Sequence, residues 1–381
     1  MIRTGFIAAW WPAGVMPWKR APASTGTGAP GRRSGAPQLH TSPHLRQPLP
    51  VEQIMRNVVY ALLPVCAWSV YQFGISALAL LTVCTVVCVG TEQLFCRLAD
   101  KPSTVTDWSA VITGLLLALV LPPGFPLWMA AVGSFFGMAV GKLFFGGLGF
   151  NVMNPALVGR AFVQAAFTVP MTTWVPAMAP GRFTEFIPSS LTTPFMQPAS
   201  ISAWLERVAV DGFAGATPLA LMKFEQIPTD TLALLFGTSP GSSGETPALL
   251  ILLCGLYLIA RRMMDWRITF GVLASAGLLS GAMYLVNPEV YPTPLFTLFS
   301  GGLMLGAVFM ATDMVSSPET PRGIWIYGAL IGTLTVVIRL FGGLNEGVMY
   351  AILIANAASP LISRVTQPRR YGAVRKERPA R

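Results

Sequence analysis

Long apolar segments dominate the chain and limit what it can fold into. Residues 75–97, ISALALLTVCTVVCVGTEQLFCR, hold a single acidic side chain and end on an arginine. About 20 mostly apolar residues are needed for a helix to cross a bilayer. Similar segments, some of them shorter, predict ten membrane helices, at residues 55–73, 75–97, 108–121, 126–145, 153–169, 247–262, 268–286, 293–313, 323–341 and 347–364. We therefore expect an all-α polytopic membrane protein.

The composition agrees and excludes other classes. Only 11% of the 381 residues are charged, against about 25% in soluble domains. The net charge of +10 is no sign of nucleic-acid binding, because the basic residues lie in tails and short loops. No hydrolase, kinase or nicotinamide-enzyme template occurs, and the five cysteines fall in apolar segments without metal-ligand spacing. We expect no metal site.

The segments divide the chain into five regions. Residues 1–50 are rich in Pro, Gly, Ser and Arg, which is typical of a disordered basic tail. Two predicted groups of five helices, 51–169 and 247–365, flank a long loop at 170–246, and a basic tail follows at 366–381. Lys and Arg concentrate at alternate helix ends, which places both termini in the cytoplasm and the 170–246 loop outside, in the periplasm.

Two similar segments indicate an internal repeat. GKLFFGGLGFNVMNPAL at 141–157 resembles IRLFGGLNEGVMYAIL at 338–353, and each joins the fourth and fifth helix of its half. The charge pattern turns these junctions to opposite faces, which predicts two inverted five-helix repeats with broken, Pro- and Gly-interrupted helices. Chance similarity between Gly-rich apolar loops is the alternative.

Ionisable residues inside predicted spans are costly and are often functional. Glu92, Arg160 and Asp313 are candidates for an ion path, and Lys142 and Arg339 lie near helix ends. For Arg160 and Asp313, a functional role and a packing or topology role are equally compatible with the sequence.

The 170–246 loop holds the stretch DGFAGATPLALMK, from Asp211 to Lys223. Gly215 and Ala216 allow close approach to the backbone, and Thr217 offers a hydroxyl on an exposed loop ahead of Pro218. Lys223 could neutralise a nearby anion. From its chemistry alone the stretch is a turn, with a modified or ligand-bound threonine as the minority interpretation.

Several separated motifs resemble one known family. DGFAGATPL is similar to the flavin-attachment motif of the D subunit of the Rnf ion-translocating oxidoreductase and of the B subunit of the sodium-pumping NADH:quinone reductase. Further similar segments cover roughly residues 42–372 in order: TGLLLALVLPPGFPLWMAAVG, KLFFGGLGFNVMNPALVGRAF, FMATDMVSSPETPRG and RLFGGLNEGVMYAILIANAASPLI. Position 214 is Ala where the family most often has Ser or Thr.

The resemblance implies cofactors and a fold. Thr217 would carry FMN through a phosphodiester, with Asp211, Gly215, Ala216 and Lys223 in the attachment motif. A non-covalent riboflavin within the membrane is also implied, and Asn151 and Asn154 are our candidates for contacting it, with helix capping as the alternative role. The family fold is ten helices in two inverted repeats.

The resemblance also implies a function. It predicts a subunit of a bacterial inner-membrane complex that passes electrons between NADH and ferredoxin and couples this to Na⁺ or H⁺ movement, without being catalytic alone. The partners would be the A, B, C, E and G subunits of an Rnf-type complex and membrane lipid, with no nucleic acid. The alternatives are a component similar to the B subunit of the sodium-pumping reductase and a flavin-free channel or transporter.

Overall fold

The computed structural model describes residues 50–198, 200–201, 204–206, 215–343 and 346–368. Within these residues the chain is all helix, turn and loop, with no β-strand. The helices are α1 Val51–Phe73, α2 Ile75–Leu98, α3 Ser109–Val120, α4 Leu127–Met138, α5 Pro155–Ala166, α6 Thr168–Thr172, α7 Pro218–Ala220, α8 Thr231–Phe236, α9 Ala248–Ala260, α10 Trp266–Val286, α11 Pro294–Phe299, α12 Leu303–Leu305, α13 Pro321–Phe341 and α14 Val348–Thr366. The predicted tail at 1–50 lies outside the described residues except for Pro50, as do residues 369–381.

Among the residues that the structure describes, five helices are long and apolar enough to cross a membrane: α1, α2, α10, α13 and α14. Three apolar helices are shorter, namely α3, α9 and α4 with the π-helical turn Ala139–Leu143 that extends it. The all-helical membrane character predicted from the sequence is confirmed, and each shorter helix packs against at least one of the longer ones. α3, for example, packs against α2, α1 and α5, and most of its residues are buried.

The eighth predicted helix, at 293–313, is wrong as a continuous element. α11 ends at Phe299, and α12 begins at Leu303 and passes into the π-helical turn Gly306–Met310. Gly301 between them has φ +61°, a left-handed conformation that glycine adopts without steric cost. The guanidinium of Arg339 donates to the Thr297 carbonyl at 2.7 Å and the Ser300 carbonyl at 3.0 Å. Buried backbone groups freed by the break are thereby satisfied.

The 170–246 segment is less of a surface loop than the sequence suggested. Its last part, 237–246, is mostly buried, and the amide of Gly244 donates to the Leu119 carbonyl at 2.7 Å at the end of α3. The side chain of Gln72 in α1 binds the carbonyl of Gly237 at 2.6 Å and the hydroxyl of Thr246 at 2.8 Å. Small and hydroxylated residues permit this insertion, because their short side chains leave room for the backbone to enter the bundle.

A glycine sets the close approach of α10 and α13. A Cβ added at Gly332 would lie 2.3 Å from the Val272 carbonyl oxygen and 2.9 Å from the Ala276 nitrogen. Both are backbone atoms of α10, so the helices would have to separate. Small residues allow this kind of contact between membrane helices.

We expect Gly332→Ala to lower stability by roughly 1–3 kcal/mol, the usual cost of overpacking. Gly90→Ala is the matched control, because a Cβ on this helical glycine of α2 meets nothing within 4 Å. Alanine is the better helix former, so Gly90→Ala should leave stability unchanged or raise it. Thermal unfolding of both variants in detergent measures the difference, and equal midpoints would contradict the packing described.

Candidate functional site around Thr217

Thr217 begins a short helix that the sequence specifies locally. Pro218 occupies the first helical position, where its missing N–H costs nothing, and the Thr217 hydroxyl accepts from the Ala220 amide at 3.3 Å. α7 continues into the π-helical turn Leu221–Glu225. Before it, Gly215 has φ +66°, and a Cβ there would meet no atom of the described residues within 4 Å. The backbone at Gly215 therefore has room on its side away from those residues.

The expectation of an exposed Thr217 hydroxyl is wrong. Thr217 is only 5% exposed, because α7 turns its first residues into the protein. It lines a cavity of about 20 Å³ that is shared with Ser239, Glu245 and Glu346. A space of this size holds about one water molecule. The neighbouring Gly215 is exposed and Ala216 is half-buried, so access to the motif is from their side.

A buried ion network lies next to Thr217. Arg160 of α5 donates through one Nη to Glu245 at 2.7 Å and through the other to Glu346. Arg160 and Glu245 are almost wholly buried, and Glu346 is mostly buried. Charges removed from water are tolerated when they are paired in this way. The guanidinium is therefore fixed between two carboxylates that come from different parts of the chain.

Neither carboxylate was predicted from the sequence, because both lie outside the predicted spans in which ionisable residues were weighed. Glu245 lies two residues before the span predicted to begin at 247, and Glu346 lies in the segment that repeats GKLFFGGLGFNVMNPAL. The position of Glu346 in that repeated junction was the available signal. Glu245 had no comparable signal, because the insertion of 237–246 into the bundle is a tertiary feature.

A larger cleft lies next to Gly215 and Ala216, the two residues before Thr217. It encloses about 230 Å³, and Gly215 and Ala216 form part of its wall. The rest of the wall comes from α5, α6, α14 and the chain around them: Arg160, Gln164, Met171, Thr172, Trp174, Ala220, Gly343, Glu346, Met349 and Tyr350. Small-molecule sites usually measure roughly 300–1,000 Å³ and combine apolar walls with a few polar groups. The cleft has this character, and its volume lies somewhat below that range.

Lys223 is not brought to the Thr217 hydroxyl. Its Nζ donates to the Gly342 carbonyl at 2.5 Å, and its side chain lines a separate cavity with Arg339. Partial burial lowers the pKa of Lys223 below its ordinary value. Asp211 and Ala214, the other motif positions singled out, lie outside the described residues.

Asn151, Asn154 and Asp313 come together at a different cavity of about 90 Å³. Asn154 caps α5, with its Oδ1 accepting from the Ala156 amide at 3.0 Å, and it also donates to the Met310 carbonyl at 3.4 Å. Asp313 accepts from the Val315 amide and the Ser316 hydroxyl. The capping role weighed for Asn154 is therefore confirmed, and its role toward a flavin stays a prediction.

Glu92 is paired with a cation, and the sequence did not predict this pairing. Lys142 donates to Glu92 at 2.6 Å and to the Ser109 hydroxyl at 2.7 Å, and both charged side chains are at most 2% exposed. Lys142 and Ser109 line the same cavity as Asp313. The three ion-path candidates thus have structural contacts of their own, and their part in ion movement remains a prediction.

Comparisons with known proteins decide the family. Residues 38–372 match the family described as NQR2, RnfD, RnfE. The chain belongs to this family. It is 39% identical over 347 residues to the D subunit of the proton-translocating ferredoxin:NAD(+) oxidoreductase complex of Clostridium ljungdahlii, covering 88% of this chain and 96% of that protein. The resemblance predicted from the motifs is confirmed.

Two further family members align with the chain in the same way. The D subunit of the Na(+)-translocating ferredoxin:NAD(+) oxidoreductase complex of Acetobacterium woodii is 41% identical over 347 residues, covering 90% of this chain and 98% of that protein. The D subunit of the ion-translocating oxidoreductase complex of Stutzerimonas stutzeri is 40% identical over 342 residues, covering 84% and 92%. Relatives named for protons and for sodium are thus almost equally similar to this chain.

Proposed function

We propose that this chain is the membrane-embedded D subunit of an ion-translocating ferredoxin:NAD⁺ oxidoreductase complex and that it carries FMN covalently on Thr217. The first part follows from relatives of this name that align along almost their whole length. One observation carries the flavin assignment: a cleft of about 230 Å³ has Gly215 and Ala216 in its wall, directly before the motif threonine.

The residues around the cleft fit a tethered flavin. The cleft is bordered by aromatic and thioether side chains, which suit a flat ring, and by the paired side chains of Arg160 and Glu346. The Thr217 hydroxyl is the acceptor in its bond with the Ala220 amide, so that bond leaves the O–H group available for attachment. At 3.3 Å that bond is long and therefore weak.

Each residue has a distinct task in this proposal. Thr217 supplies the oxygen of the phosphoester, and Gly215 and Ala216 leave the backbone open on the cleft side. When bound, FMN supplies the electron-accepting and electron-donating chemistry, which no side chain of this chain can provide. The surrounding residues orient the ring and exclude part of the water. The protein's contribution is placement, as is usual for cofactor-dependent electron carriers.

The distribution of Lys and Arg gives the proposed orientation of the chain in the membrane. Arg97 lies in the last turn of α2 and Lys101 follows that helix, and Arg261 and Arg262 follow α9, all at the ends we assign to the cytoplasm. The flavin cleft then lies on the periplasmic side of a bacterial inner membrane, with both termini cytoplasmic. A second redox subunit on that side would meet the tethered flavin there, and the A, B, C, E and G subunits are the proposed partners.

We also propose that the two groups of five helices are inverted repeats. In support, α2 packs against α4 as α10 packs against α13, and α4 contacts α5 as α13 contacts α14. Each of the two repeated segments contributes a residue to the wall of a cavity. Asn151 of the first lines the 90 Å³ cavity, and Glu346 of the second lines the 230 Å³ cleft.

We also propose that riboflavin binds at the cavity lined by Asn151 and Asn154. The polar groups of this cavity suit a flavin ring, and the side chains of Asp313 and Lys142 also line it. At about 90 Å³, however, it is well below the roughly 300 Å³ of small-molecule sites, so its walls would have to separate.

The visible absorbance of the purified chain tests the flavoprotein assignment against the flavin-free transporter. We expect a flavin band that remains with the protein after a denaturing wash. A transporter with the same fold would show no such band.

A further inference from the structure

A further cavity lies at the ends of α10 and α13, apart from the cleft beside Gly215. It encloses about 120 Å³, and its wall is formed by the last turns of α13, by α11, by the chain after α10, and by α7 with the turn Leu221–Glu225 that follows it. Sites that enclose a whole small molecule measure roughly 300 Å³ or more. This cavity therefore suits one polar group of a larger ligand whose remainder stays outside.

Two basic side chains give this cavity its charge. Lys223 and Arg339 line it, and no acidic side chain lines it among the residues that the structure describes. Arg339 is only 6% exposed, and both of its Nη atoms donate to backbone carbonyls. Glu225 and Glu289 are close in the chain to wall residues but are exposed, so water weakens their attraction to a cation. The buried charge of Arg339, which has no ion pair among the described residues, therefore favours an anion in the cavity.

The cavity also offers hydrogen-bond donors in its wall. The Nζ of Lys223 is fixed there by donating to the Gly342 carbonyl at 2.5 Å, and an ammonium group has three donors in all. Tyr291 is a half-buried wall residue and Gln226 an exposed one, and neither side chain has a hydrogen bond to another described residue. Phosphate oxygens accept several such bonds, and lysine is a common phosphate ligand. A phosphate group therefore suits both the charge and the donors.

The position of the cavity favours a lipid as the source of the phosphate. α10 and α13 are long enough to span a membrane, and the cavity lies at the C-terminal ends of both. Helix ends of this kind reach the headgroup layer, where lipid phosphates lie. Phe224, Leu295 and Phe341, each next in the chain to a wall residue, are apolar side chains that are more than half exposed. Lipid acyl chains would cover these side chains, which a free phosphate ion would leave in water.

We propose that this cavity binds the phosphate of a membrane phospholipid. Lys223, Gln226 and Tyr291 donate hydrogen bonds to the phosphate oxygens. Arg339 adds positive charge from within the wall without touching the lipid, since its Nη atoms are bound to carbonyls. The acyl chains lie against the exposed apolar side chains beside the cavity. The two positive charges favour an anionic lipid over a zwitterionic one, and binding does not depend on a flavin at Thr217.

Native mass spectrometry of the full-length chain in an uncharged detergent tests this binding. With dioctanoyl-phosphatidylglycerol we expect a single tightly bound lipid, and with dioctanoyl-phosphatidylcholine weaker binding. Lys223→Gln and Tyr291→Phe should each weaken phosphatidylglycerol binding roughly tenfold, the effect of losing one hydrogen bond to a charged group. Lys101→Gln and Tyr284→Phe are the matched controls, because they change an exposed lysine and a half-buried tyrosine that lie outside the cavity.

Two further probes and one variant identify the ligand. Dioctanoylglycerol, which lacks the phosphate, should not bind tightly, and inorganic phosphate should not displace the lipid. Thr217→Ala should keep lipid binding whatever its effect on flavin attachment, so the attachment can fail without affecting this result. The same affinity in Lys223→Gln and Tyr291→Phe as in their controls would overturn the inference. Tight binding of dioctanoylglycerol, displacement by inorganic phosphate, or loss of lipid binding in Thr217→Ala would also overturn it.

Discussion

Thr217→Ala should eliminate covalent flavin from this chain. The substitution removes the only side-chain oxygen that position 217 can offer to a phosphoester, so the loss is all-or-none. Its structural effect is small by comparison, because losing a helix cap costs about 1 kcal/mol and the bond to Ala220 is long. In-gel fluorescence of the denatured chain should therefore disappear while the amount of protein in the membrane stays close to wild type.

Two further variants test whether the effect is specific to the hydroxyl at position 217. Thr217→Ser keeps a hydroxyl at the same position and should retain attachment. Thr238→Ala removes an exposed threonine hydroxyl of the same 170–246 segment and should leave the fluorescence unchanged. Fluorescence that persists in Thr217→Ala would show that the flavin is attached elsewhere or held without a bond.

Arg160→Met should be the most destabilising single substitution proposed. It leaves Glu245 and Glu346 without their shared cation, and Glu245 is almost completely buried. Removing one partner of a buried ion pair typically costs about 3–5 kcal/mol, because the remaining charge stays desolvated. Unfolding in detergent, followed by tryptophan fluorescence, should show a much lower midpoint than wild type.

A control variant shows whether the loss of stability comes from the broken ion network or simply from removing an arginine. Arg322→Met removes an exposed arginine from the first turn of α13 and should change the midpoint little. Adding Glu245→Gln and Glu346→Gln to Arg160→Met should recover part of the stability, because the unpaired negative charges are gone. If Arg160→Met is as mild as Arg322→Met, the network does not hold the fold as described.

The sequence predicted the features that depend on local composition. Apolar segments located the long helices, and Asn154 followed by Pro155 marked the start of α5. These features are readable because the residues that cause them are neighbours in the chain.

Features that depend on distant parts of the chain were missed. The break near Gly301 is stabilised by Arg339 from another helix, and Arg160 acquires its partners from positions 85 and 186 residues away. The burial of Thr217 arises because α7 packs into the protein, which no pattern in DGFAGATPLALMK reveals. Helix composition alone cannot show which loops enter the bundle.

Mass spectrometry of one tryptic peptide tests the central claim most directly. Trypsin should release residues 208–223, VAVDGFAGATPLALMK, with Thr217 as the only hydroxyl-bearing residue. We predict that this peptide carries the mass of one FMN less one water and that fragmentation assigns the addition to Thr217. A peptide found only in its unmodified form, from chain purified out of its native membrane, would contradict the account.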